Sequence, residues 1–212
     1  MKDWTGNKKT TFVALGASSH AQEERQEHDY YATDPIAMEM LLDKETFNKN
    51  VWECAVGEGH LAKVLKQHGY NVRSSDLIDR GYENTEVMDF LNSDETWDGD
   101  IITNPPYKYA QQFVEKAHHK LCATHTQRIA LFLKLTFLES KGRHEMFQKY
   151  PPNKIYVFSE RILCAMNGDF EKYTSSAVAY AWFIWEVGFT GKPQIEWLSK
   201  SEYMNSNREV LF

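Results

Sequence analysis

The chain alternates between short stretches whose apolar residues run together and longer stretches in which they recur every three or four positions. "PIAMEMLLD", from Pro35, has helical spacing, with Asp34 placed to cap it and Pro35 suited to a first turn, where a missing N–H costs nothing. "NVWECAVGEGHLAKVLKQHG" predicts a strand, a glycine turn and a helix, "YNVRSSDL" a second strand and "DIITN" a later one. "AQQFVEKAHHKL" predicts a helix, and "RIALFLKLTFL" a strand that is apolar without alternation, the pattern of strands covered on both faces. "NKIYVFSE" and "AVAYAWFIWEV" follow as two late strands with little helix between them. Strand and helix in alternation, with a strand-rich end, predict a doubly wound α/β sheet carrying an antiparallel strand near one edge. No repeat or low-complexity tract interrupts the pattern, and residues 1–28 are expected to form an arm ahead of a single domain over 29–212.

Composition agrees with one substantial core: 212 residues, 42% hydrophobic and 14% aromatic. There is no apolar run of transmembrane length and no secretion signal in "MKDWTGNKKT", so a cytoplasmic chain without a membrane partner is expected. Cys54, Cys122 and Cys164 are odd in number and lack CxxC spacing, which predicts free thiols. His118, His119 and His125 have no ligand spacing, so they are expected to be solvated and no metal is expected. The net charge of -6 argues against coating nucleic acid by charge alone. Residues 1–90 carry 10 Lys and Arg against 16 Asp and Glu, whereas residues 134–172 carry 7 against 5, so a polyanion would favour the second region.

Chemistry gathers at two turns. In "ECAVGEGH", Gly57 and Gly59 sit where a strand becomes a helix, at the carboxyl end of the first sheet strand, where such sheets bind ligands. The third glycine of GxGxxG is absent, and the GxG alone fits a tight turn as well as a ligand site. Glu53 precedes the glycines, and Asp76 stands 19 residues after Gly57, near the offset at which an acid meets ribose hydroxyls. Asp89, before Phe90, could accept from an exocyclic amine while the ring meets a base. Acids in series at successive strand ends suggest one adenosine pocket.

The second turn is "DIITNPPY". Pro105 and Pro106 have no N–H and fix their own φ, so the chain leaves its strand as a stiff extended turn. The Asn104 side-chain oxygen and the Pro105 carbonyl can then each accept a hydrogen from a planar NH₂ group while Tyr107 stacks on its ring. A conjugated amine is a poor nucleophile, and two fixed acceptors favour the tetrahedral character that attack requires. No acidic base is needed beyond alignment with a reactive methyl group.

In this order, ECAVGEG, SSDL, MDF and DIITNPPY resemble the motifs of S-adenosylmethionine-dependent amino-methyltransferases, above all the N6-adenine DNA methyltransferases of small phage or prophage type. "DYYATDP" resembles the segment that helps those enzymes hold the methionine part of the cofactor, and the likeness spans roughly residues 29–190. The resemblance implies a Rossmann-like class I methyltransferase fold, with a mostly parallel seven-stranded sheet and one antiparallel strand near the edge. It implies S-adenosyl-L-methionine as cofactor, with Tyr31 and Thr33 at the methionine end and Glu53, Ala55, Gly57 and Gly59 at the centre. Asp76 would hold the ribose, Asp89 and Phe90 the adenine, and Asn104 would border the cofactor. Asn104, Pro105, Pro106 and Tyr107 would form the target site. The implied reaction is methyl transfer to the N6 amine of adenine in DNA.

An RNA base amine or a protein glutamine amide also suits NPPY, and a non-catalytic nucleic-acid-binding or regulatory chain that keeps the fold is an alternative of another class. Two departures stand out: Thr33-Asp34-Pro35 replaces the family's frequent Thr-Pro, and the chain ends at Phe212 without room for a large recognition domain. Specificity is therefore expected from loops, a separate partner or a homodimer. The loops at 139–154 and 161–176 carry Lys141, Arg143, Arg161, Lys172 and Tyr173 as nucleic-acid candidates, because cations meet phosphates and rings meet bases. A duplex target would have to be flipped to reach Tyr107.

Overall fold

Both faces of the central sheet are covered by helices, which is why its strands carry apolar runs. The computed structural model describes residues 30–121, 127–166, 168, 170–171 and 178–208, without the side chains of Met166 and Arg208. The arm expected over residues 1–28 lies outside them, as do Lys172 and Tyr173. The strands are β1 (Tyr31–Thr33), β2 (Asn50–Glu53), β3 (Asn71–Asp76), β4 (Glu86–Val87), β5 (Asp100–Thr103), β6 (Arg128–Lys134), β7 (Lys154–Phe158), β8 (Cys164–Met166), β9 (Tyr180–Glu186) and β10 (Gln194–Leu198). The helices are α1 (Ile36–Lys44), α2 (His60–Gln67), α3 (Ala110–Lys120), α4 (His144–Lys149) and α5 (Lys200–Arg208).

The main sheet has the order β10-β7-β9-β6-β5-β2-β3-β4. Every neighbouring pair is parallel except those made by β9, which runs antiparallel between β6 and β7. The expected architecture is present with one strand more than the seven expected. The extra strand, β10, lies outside β7; it mixes polar and apolar residues and leaves Trp197 67% exposed, so it lacks the apolar run that marks its neighbours.

Side chains alternate between two apolar layers. Phe132, Trp182 and Ile184 pack with Met38 and Leu41 of α1 and Leu61 and Leu65 of α2. Ile129, Leu131, Phe183 and Trp185 pack with Phe113, Val114 and Ala117 of α3 on the other face. Asp34 caps α1 as expected, its Oδ1 accepting from the Ile36 N–H at 3.1 Å while Pro35 takes helical backbone angles. The apolar run after Arg128 leaves the sheet at Lys134, and its last residues form a 3₁₀ turn that buries Phe137. His118 is half-buried rather than solvated: its Nδ1 donates to the Val114 carbonyl at 2.8 Å, its ring stacks on Tyr150 at 4.1 Å, and burial lowers its pKa.

A second, two-stranded antiparallel ribbon pairs β1 with β8, Thr33 standing opposite Cys164. It ties the segment just before α1 to part of the loop expected over 161–176, where residues 164–166 are strand. No helix among the described residues is long and apolar enough to cross a membrane.

Candidate active site

A cavity of about 760 Å³ opens at the carboxyl ends of β2, β3 and β5, within the range of about 300–1,000 Å³ usual for small-molecule sites. Gly57 and Gly59 have φ of +56° and +78°, which glycine adopts at no steric cost. A Cβ on Gly57 would stand 2.3 Å from Tyr30, and one on Gly59 2.1 Å from Tyr82. The two glycines thus make room for the chain's own tyrosines, and the cavity wall here is formed by Ala55, Val56, His60 and Leu61 instead. Tyr30 Oη accepts from the Glu58 N–H at 3.2 Å, and the Arg80 guanidinium lies 4.4 Å from the Tyr30 ring centre. Burial raises the Tyr30 phenol to about 12. His60 meets Phe170 edge-on at 5.3 Å, and burial lowers its pKa.

The acids differ in how much of their capacity remains. Asp76 accepts the Gly57 N–H at 2.8 Å through Oδ2 and the Ile78 N–H at 3.1 Å through Oδ1. A carboxylate has about four acceptor sites, so Asp76 keeps roughly two. Asp89 is more heavily used, accepting from the backbone N–H groups of Leu91 and Asn92 and from Asn92 Nδ2 at 2.6 Å. Phe90 borders the cavity, but its ring is core: it stacks on Phe113 at 5.0 Å and meets Trp52 edge-on.

Glu53 is the unusual acid. It is 1% exposed, it lines the cavity, and its Oε2 has no hydrogen-bond partner among the described residues. Burial pushes its pKa up to about 8, with a further rise from the Asp76 charge and a partial offset from the Thr103 hydroxyl. A buried acceptor without a partner is costly, so this carboxyl is primed for a ligand that donates to it or carries positive charge.

At the other end β5 stops at Thr103, and Asn104-Pro105-Pro106 leads into a 3₁₀ turn over Tyr107–Tyr109. Asn104 Nδ2 donates to the Tyr31 carbonyl at 2.9 Å and to Thr33 Oγ1 at 2.8 Å. Those two acceptors set the orientation of the amide and leave Asn104 Oδ1 buried without a partner among the described residues. The β1 residues Tyr31 and Thr33 therefore fix the amide of Asn104, a residue that lines the cavity. Tyr107 is half-buried, its ring centre 6.1 Å from that of Tyr31 and 5.9 Å from that of Tyr180, with Lys134 Nζ 4.5 Å from the ring centre. Its Oη lies 3.8 Å from Cys164 Sγ. Burial raises the Tyr107 phenol well above its usual range and the Cys164 thiol to about 11, so both stay neutral near pH 7.

The cavity thus gathers Tyr31, Thr33, Glu53, Ala55, Asp76, Asp89, Phe90, Asn104, Pro105, Pro106 and Tyr107, while Gly57 and Gly59 shape its rim from behind. The loop candidates divide. Lys141 and Arg161 are exposed, but the Arg143 guanidinium is engaged by the carbonyls of Thr136, Phe137 and Glu139 and lies over the Phe137 ring. Sequence reasoning did not foresee Tyr30, Leu77, Arg80, Lys108 and Tyr109 in the wall. Leu77 is 56% exposed directly after Asp76.

No protein-family model matches the chain, and no curated protein matches it. Among solved structures it is similar to a Listeria monocytogenes protein named as a class I S-adenosylmethionine-dependent methyltransferase, at 13% identity and a TM-score of 0.56, covering 96% of this chain and 76% of that one. It is also similar to the modification subunit of a type I restriction enzyme from Vibrio vulnificus, at 14% identity and a TM-score of 0.53, covering 97% of this chain and 59% of that one. A third likeness is to a SAM-dependent O-methyltransferase from Thermotoga maritima, at 15% identity and a TM-score of 0.50, over 82% and 72% of the two chains. The chain therefore spans little more than half of the Vibrio subunit, and at these identities the likenesses establish the fold, that of Rossmann-like methyltransferases.

Proposed function

We propose that the chain is an S-adenosylmethionine-dependent methyltransferase acting on the exocyclic N6 amine of adenine in DNA. The observation that carries this reading is Asn104: its amide nitrogen is engaged by Tyr31 and Thr33, and its oxygen is a buried acceptor without a partner among the described residues. Support for the cofactor comes from the orphaned Glu53 oxygen, from the remaining acceptor sites of Asp76, and from the names of two of the similar proteins. When bound, S-adenosylmethionine would supply an electrophilic methyl on a positively charged sulfur that departs as a neutral thioether. Glu53 would face the cation, Asp76 would accept from the ribose hydroxyls, and Leu77 and Phe90 would border the adenine.

Asn104 Oδ1 and the Pro105 carbonyl would accept the two hydrogens of the target amine and favour its lone pair for attack on the methyl. The nitrogen would take the methyl as the carbon–sulfur bond breaks, and the resulting cation would release a proton to water. Tyr107, neutral and held by neighbouring rings, would present a face to the target base. Specificity would come from loops or a partner; the Vibrio likeness, a subunit of a larger enzyme by name, supports a partner.

The test is transfer of labelled methyl from S-adenosylmethionine to mixed DNA, RNA and protein, with nucleoside and peptide analysis of the labelled pool. N6-methyladenine in DNA is the expected product. Label in an RNA base or a glutamine amide would keep the chemistry and replace the substrate, and cofactor binding without transfer to any pool would point to a binding or regulatory chain.

A further inference from the structure

Charge around the cavity is sorted by end. The carboxylates of Asp76 and Asp89 line the cavity toward the glycine turn, with Arg80, whereas Lys108 lines it beside Tyr107 and Lys134 Nζ lies over the Tyr107 ring. In "NPPYKY" the two tyrosines have opposite fates. Tyr107 turns inward among Tyr31 and Tyr180, while Tyr109 is 41% exposed at the cavity mouth, with Lys108 Nζ 5.1 Å from its ring centre. Tyr109 is presented from firm backbone: its N–H donates to the Pro106 carbonyl at 2.8 Å, and the next residue, Ala110, opens α3 and is buried.

The Lys108 ammonium lies over one face of the exposed Tyr109 ring; the other face suits an unstacked base and the ammonium its phosphate, the combination by which single strands are bound. A base inside a duplex has no free face to offer, so the strand must be single or locally opened at this point. The glutamine side chain of a protein substrate has neither an aromatic ring nor a phosphate. The sign of the charge at this end is also right for a polyanion on a chain whose net charge is -6.

We infer that Lys108 and Tyr109 form a platform for the nucleotide adjacent to the target in a single-stranded or locally opened DNA strand, with Lys134 supplying a second cation on the inner side of Tyr107. This inference rests on the DNA reading above and moves the principal contact from the later loops to the residues that follow the prolines. The experiment titrates the full chain with a fluorescent adenine-containing single strand, its RNA counterpart and its duplex over a range of salt, with cofactor binding and methyl transfer measured in parallel.

Tyr109→Ala is expected to weaken the single strand about tenfold, and Tyr109→Phe to leave it unchanged. Lys108→Gln is expected to reduce the slope of log affinity against log salt by about 0.7, the share of one phosphate contact. Cofactor binding should be untouched in all three, which shows that they fold. Wild-type affinity and slope in both Tyr109→Ala and Lys108→Gln, with DNA still methylated, would overturn the platform alone. Tighter binding of the RNA strand, carrying the same losses, would overturn its assignment to DNA. Losses as expected, with no methylation of DNA by the wild-type chain, would leave the platform and defeat the proposed function.

Discussion

The two ends of the cavity are built by opposite means. At the glycine turn the backbone takes left-handed angles and the freed space is filled by Tyr30 and Tyr82, so the turn is packed and its amides are engaged: Gly57 N–H by Asp76, Glu58 N–H by Tyr30. What remains for a ligand there is carboxylate. At the proline turn the backbone is stiffened by two rings, one amide side chain is held by its nitrogen, and its oxygen has no partner among the described residues. On the proposed function, acids at one end would hold a cationic cofactor and placement at the other would orient an amine.

Substitutions can break this division. Tyr107→Ala should reduce methyl transfer on the order of a hundredfold by loosening the target, with cofactor affinity nearly unchanged by calorimetry. Equal loss of both would erase the distinction between the ends. Gly57→Ala should act the other way: its Cβ meets Tyr30 at 2.3 Å in a conformation costing a side chain about 1–2 kcal/mol, so cofactor affinity should fall about tenfold or more. Tyr30→Ala in the same chain should recover part of that loss, and no recovery would show that the φ of Gly57, rather than crowding, decides it.

A smaller effect is expected from Asp76→Ala, about tenfold in cofactor affinity, because it removes both the proposed ribose acceptor and the support of Gly57 N–H. Unchanged affinity would defeat the ribose assignment. The mildest test is pH. Glu53 is raised from 4.5 to about 8 by burial, so near pH 7 the carboxyl is mostly protonated and must release its proton to face a cation. Cofactor affinity should therefore climb as pH rises toward about 8, by at most tenfold per unit, and Glu53→Gln should flatten the profile. Fold stability has the opposite sign: the contribution of the neutral carboxyl is complete below about 4.5 and is lost as pH rises through about 8, which melting curves of the two proteins can compare.

Much of this was legible in local sequence. The strand, glycine turn and helix around Gly57, the stiff exit through Pro105 and Pro106, and the doubly covered strands each follow from residues close together in the chain. Long-range pairing was less legible. Nothing near Thr33 announces Cys164 as its strand partner, and nothing near Asn104 announces that its amide is held from residues 71 and 73 positions away. Arg143 looked available for phosphate because its partners are backbone carbonyls, groups that every residue carries and no sequence pattern distinguishes. The GxG fitted a tight turn as well as a ligand site, and nothing nearby in sequence announces that the rings of Tyr30 and Tyr82 occupy the space where a Cβ would stand.

The place of β9 bears on how the chain assembles. It is the ninth strand made, yet it lies between β6 and β7, and its Trp182, Phe183 and Trp185 are fully enclosed. As the polypeptide leaves the ribosome, the sheet can grow from β2 through β6, but β7 then has no neighbour on its inner side until residues 180–186 emerge. Until then the apolar flank of β6 is an open strand edge, the kind of surface that invites the wrong partner. The interval between synthesis of β7 and insertion of β9 is accordingly the window in which a nascent chain most needs protection by a chaperone.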